Sequence, residues 1–141
     1  MGEMPRWLDR LLARPKPTPP LRGRPATRRV KRYAALSGYA YEYFHEGHRP
    51  WRDGLSAGIE FEFRVSVGRE QWLPAAVVVA DREVKAWETA RGRTLSSTER
   101  YAIAKLALLQ SFDQRATPPE TAIEVRVSAA DIETIAERLD L

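Results

Sequence analysis

Residues 59–67 read Ile-Glu-Phe-Glu-Phe-Arg-Val-Ser-Val. Ile59, Phe61, Phe63, Val65 and Val67 fall at every second position, and Glu60, Glu62, Arg64 and Ser66 fill the gaps. Only a strand places alternate side chains on opposite faces, so this segment must be a strand with one covered and one wet face. A sheet of that kind needs a partner layer, and the rest of the chain has to supply it.

Strand signals flank this segment. Upstream, Tyr39, Tyr41, Tyr43 and His45 alternate with Ala40, Glu42 and Phe44, a pattern rich in aromatic β-formers. Between the two, 48–58 carries Pro50, Asp53-Gly54 and Gly58, which read as loop punctuation. Downstream, 72–80 is a nearly continuous apolar run, as expected of a central strand. Asp81 is placed to cap a helix over 82–90, which Gly92 would end. Ser96-Ser97-Thr98-Glu99 is a capping box opening a long helix to about Gln114, with Tyr101, Ala104, Lys105, Leu108 and Phe112 along one stripe. Ile123, Val125 and Val127 form a fourth alternating strand, and Ser128 with Asp131 caps a last helix whose stripe is Ile132, Ile135, Ala136 and Leu139. The order β-β-β-α-α-β-α predicts an α+β single domain: a mostly antiparallel four-stranded sheet with about three helices on one face.

Charge divides the chain at about residue 32. Residues 1–32 hold ten of the 23 Lys/Arg and two of the 19 Asp/Glu, a net of +8; residues 33–141 hold the other thirteen and seventeen, a net of −4. The basic character therefore belongs to an arm (1–32), and the globular part expected at 33–141 is acidic. Within the arm, 5–13 has helical spacing, with Trp7, Leu8, Leu11 and Leu12 on one face; it is too short to be stable alone and reads as a partner-docking element. Pro15, Pro17, Pro19, Pro20 and Pro25 predict an extended, semi-rigid spacer. Arg22, Arg24, Arg28, Arg29, Lys31 and Arg32 form a basic run suited to an anion, and so little apolar content predicts mobility until a partner holds it.

Several chemistries are excluded. There is no Cys, hence no disulfide, thiolate metal site or Cys nucleophile. No phosphate-binding Gly-rich loop, dinucleotide turn or nucleophile elbow occurs. The N-terminus lacks the apolar stretch of a secretory signal, so the expected location is cytoplasmic. His45, His48 and Asp53 are the one group of metal-ligand types, but a strand end containing Gly47 does not by itself set two imidazoles on one face. No cofactor is expected. Tyr39, Tyr41 and Tyr43 are either the core face of a strand or, if exposed, a stacking platform for bases. Glu60, Glu62 and Glu124, interleaved with Arg64 and Arg126, predict an ion-pair lattice on the wet face. The functional expectation is a non-enzymatic binding or adaptor protein whose arm engages an acidic or groove-bearing protein, or a second copy of the chain. A second reading is a nucleic-acid-associated regulator that contacts phosphates through the same basic run. A third is a small enzyme with a site near His45 and His48.

Overall fold

The computed structural model describes residues 18–68 and 71–141. Five strands form one sheet in the order β1-β2-β3-β4-β5: β1 (Lys31–Ala34), β2 (Ala40–Asp53), β3 (Ser56–Val67), β4 (Leu73–Ala80) and β5 (Ile123–Val127). The first four make an antiparallel meander, and β5 lies parallel to β4. Among the described residues three helices accompany the sheet: α1 (Asp81–Arg91) and α2 (Ser97–Asp113) between β4 and β5, and α3 (Ala129–Arg138) after β5. The α+β class holds; the sheet has five strands rather than four, and it is mixed.

The added strand is β1. Its sequence, Lys-Arg-Tyr-Ala, carries no strand signal of its own, and its first two residues belong to the basic run. Long-range contacts fix it. Tyr33 donates its hydroxyl to Asp113 at 2.6 Å, and the Asp113 carboxylate also accepts from the Leu36 amide at 2.9 Å. The end of α2 thus clamps both β1 and the turn after it, and the boundary drawn at residue 33 falls inside a strand. The parallel β4–β5 pair follows from the 42 residues between them, long enough for the crossover that parallel neighbours need.

The expected loop at 48–58 is instead a long hairpin. β2 continues to Asp53 and β3 begins at Ser56, so the connection is Gly54-Leu55. Gly54 has φ 61, at the first central position where a two-residue hairpin turn takes glycine. Pro50 is tolerated because hydrogen-bonding direction alternates along a strand. The His48 N–H points away from β3, toward Arg22, so the nitrogen of Pro50 faces the same outer edge and no ladder bond is lost.

Both predicted capping boxes are present, Ser96 with Glu99 and Ser128 with Asp131. Gly92, at φ 63, ends α1 by donating to the Glu88 carbonyl. Asp81 does not cap: Ala80 holds the cap position, and Asp81 sits in the first turn, where its charge favours the positive helix end. One core joins the sheet face to all three helices. Phe112 lies at its centre, fully buried and stacked on Tyr41 at 4.1 Å, with Tyr33 and Tyr43 tilted against it. Tyr41 and Tyr43 are therefore core residues, and Tyr39 remains 40% exposed.

Candidate functional site

The expected docking helix at 5–13, with Trp7, Leu8, Leu11 and Leu12, lies outside the described residues. From Thr18 on, the basic proline-rich segment is placed, and it lies on the outer edge of β2. Arg22 and His48 exchange both backbone hydrogen bonds, at 2.8 and 2.9 Å. Nine residues later Lys31 pairs with Tyr43 of the same strand. Two backbone pairings on one strand therefore bracket 22–31, at Arg22 and at Lys31. Short, basic and proline-containing segments are a common way to shield an unpaired sheet edge.

This docking depends on a bulge in β2. The pairing with β3 slips between His45 and Gly47, so that Glu46 and Gly47 together oppose Glu62. Gly47 has φ 142, and an added Cβ would stand 2.6 Å from the Arg22 carbonyl oxygen. Glycine is needed there both for its backbone angle and for the closeness of the basic segment.

Arg22, Arg24, Arg28, Arg29, Lys31 and Arg32 are all exposed. The Arg28 guanidinium lies over the Phe44 ring at 4.9 Å, on the sheet face away from the helices, and Phe44 packs against Trp72 at 5.1 Å. A concavity of about 340 Å³ opens there, lined by Arg24, Pro25, Arg28, Phe44, His45, Glu46 and Arg64. Three guanidiniums meet one carboxylate in it, Glu46, which is 3.5 Å from Arg64. Positive charge is concentrated elsewhere along the edge as well. Lys105 of α2 is held below the usual lysine range, first by its side-chain contact with Lys31, then by burial and by the charge of Lys31. Like charges held this close disfavour the charged form of the more buried partner.

Beyond this edge the open sheet face carries ion pairs; of those expected between Glu60, Glu62, Glu124, Arg64 and Arg126, only Arg126–Glu124 is found among the described residues, within one strand. Arg49 pairs with Glu60 at 3.7 Å, and Arg126 reaches Glu124 at 3.1 Å and Asp53 at 3.6 Å. Burial, then the hydrogen bond and charge of the neighbouring Glu60, push the Glu62 carboxyl up to about 7, while Arg49 and Arg64 pull against the rise. Glu62 therefore holds its proton far more tightly than an ordinary carboxyl, which alternation of acidic and basic residues alone does not anticipate.

The histidines follow the bulge. Without the extra residue, His45 and His48 would point to opposite faces; with it, both face the helices, contrary to the sequence expectation. Asp53 does not join them, being at the far end of β2 in its ion pair with Arg126. Among the described residues no group of three His, Asp or Glu side chains gathers as a metal site would require. Burial, the largest influence, lowers the pKa of His45; its hydrogen bond to the Gly47 carbonyl opposes this, and His48 adds to the lowering. Among the described residues no helix is long and apolar enough to cross a membrane. Searches of protein-family models, curated proteins and solved structures find no match to this chain.

Proposed function

We propose that this protein is a non-enzymatic binding module whose basic edge, 22–32, engages a short acidic segment of a partner protein. One observation carries the reading: the backbone that bears those cations is paired to β2 at both ends, by Arg22 with His48 and by Lys31 with Tyr43. Cations on a backbone held at both ends lose less conformational entropy on binding than those of a free tail. The acidic remainder of the chain, net −4 over residues 33–141, favours a partner whose negative charge is confined to the length of the edge. A long polyanion such as nucleic acid would meet Glu46, Glu60, Glu62 and Glu124 beyond it.

The test is a pull-down with the full chain and with the triple variant Arg24→Glu, Arg28→Glu, Arg29→Glu, with and without nuclease. Acidic proteins retained after nuclease and lost with the variant support the proposal. Nuclease-sensitive capture transfers the edge to the nucleic-acid reading, and capture unchanged by charge reversal removes the edge from both.

A further inference from the structure

The β2 bulge also shapes a second concavity, on the helix side of the sheet, which shares His45 with the basic concavity but none of its charged residues. It encloses about 290 Å³ and is lined by Gly23, His45, His48, Ile59, Phe61, Ser97, Thr98 and Tyr101. Its walls are mainly rings. The His45 ring lies 4.7 Å from Tyr101 and 5.2 Å from Phe63, and His48 lies 6.0 Å from Phe61. No carboxylate, lysine or arginine is among the lining residues, so the cavity offers no full countercharge to an ionic ligand.

Its polar chemistry is set by backbone geometry. The His45 Nε2–H donates to the Gly47 carbonyl oxygen at 3.1 Å, since a carbonyl can only accept. In the neutral ring Nδ1 is then a lone-pair acceptor, and it has no partner among the described residues. The His48 backbone is fixed by its exchange with Arg22, and its ring lies against Gly23, where an added Cβ would stand 2.8 Å from Cε1. Both imidazoles are thus positioned before any ligand arrives. Beta-bulges often re-aim side chains beside functional sites, and this one sets two imidazoles on one face.

We infer that this cavity binds a small planar aromatic molecule carrying one N–H or O–H donor. Its ring would lie among Tyr101, Phe61 and Ile59, with the donor directed to the His45 lone pair. The volume suits one or two fused rings, at the lower end for small-molecule sites. The proposal shares the docked backbone of Arg22 and Gly23 with the basic edge but none of its cations, so loss of acidic-partner binding on charge reversal leaves it standing.

Indole is the probe, followed by two-dimensional amide NMR on the full chain, with N-methylindole as the analogue lacking a donor. Saturable shifts are expected at Gly23, His48, Phe61, Ser97 and Thr98, with a Kd in the millimolar range for so small a ligand. N-methylindole should bind about fivefold more weakly, the worth of one hydrogen bond. The variant Ser97→Trp, at an exposed first-turn position that leaves the Ser96–Glu99 box intact, should block the mouth and weaken indole by about tenfold or more. Absent or non-saturable shifts, shifts centred elsewhere, equal binding of the two probes, or full binding by the Ser97→Trp variant would each overturn the inference.

Discussion

Replacing Gly47 with alanine should be among the most damaging single-methyl additions in this protein. Two effects combine. The residue sits at φ 142, where an L side chain is strained by about 1–3 kcal/mol. The new Cβ would also stand 2.6 Å from the Arg22 carbonyl oxygen, a backbone atom that cannot swing aside as a side chain can. Relieving the clash means moving Arg22 off β2, which forfeits two backbone hydrogen bonds to His48 at about 0.5–1.5 kcal/mol each. The backbone strain remains after the clash is relieved, so the two together should cost about 2–6 kcal/mol. Gly38→Ala is the control. Gly38 also has positive φ, at 94, but nothing lies within 4 Å of its added Cβ, so it should show the backbone strain alone. Urea unfolding of both variants measures the difference. For a protein of this size, with m about 1.5 kcal/mol/M, Gly47→Ala should move the midpoint down by roughly 1.3–4 M. A Gly47→Ala cost no larger than that of Gly38→Ala would mean that the basic segment does not press on the bulge, and its docking on β2 would be wrong.

Glu62 sets a pH dependence. Its folded pKa of about 7 stands above the ordinary 4.5, so the native state holds this proton more tightly than the unfolded chain. That stabilisation is complete below about 4.5 and is lost as pH rises through 7. Glu62→Gln should remove this slope and be the more stable form at pH 8, by roughly 1–2 kcal/mol once solvent screening of a half-buried group is allowed for; parallel denaturation curves at pH 5 and 8 check it, and equal slopes would refute it. Phe112→Ala removes a fully buried ring packed against three tyrosines and should cost about 3–5 kcal/mol in chemical denaturation. Tyr41→Phe should behave oppositely, because the Tyr41 hydroxyl is buried without a hydrogen-bond partner: stability should stay level or rise by up to about 1 kcal/mol, and a clear loss would reveal an unrecognised partner.

What could be read from the sequence was what is decided within a few residues. The alternation of β3, the two capping boxes and the Gly92 stop depend on neighbours in the chain, and each appears where the pattern placed it. β1 was hidden because Asp113 holds it across 80 residues of sequence, which no local propensity records, even though its pairing with β2 is between neighbours. The 48–58 hairpin was hidden because Pro50 and Gly58 normally break structure. Pro50 escapes by facing a free edge, and Gly58 is required by the approach of β4, where an added Cβ would stand 2.4 Å from the Val79 carbonyl oxygen. The candidate sites were half legible. The basic residues and the two histidines were visible as types, but a one-residue slip in pairing decides which face each histidine occupies. The sole hint of that slip was a glycine inside an aromatic strand, a position that marks a bulge or a close backbone approach. Here it marks both.

The most direct test of the basic edge is the affinity of the full chain for a labelled polyglutamate peptide, measured by fluorescence anisotropy across a salt series. Cations at 24–29, on a backbone held at both ends, predict saturable binding that weakens steeply as salt rises, and a loss of about tenfold or more at low salt in the Arg24→Glu, Arg28→Glu, Arg29→Glu variant. Binding that is insensitive to salt, or equal in the variant, would show that the edge of β2 is not where this protein meets an acidic partner.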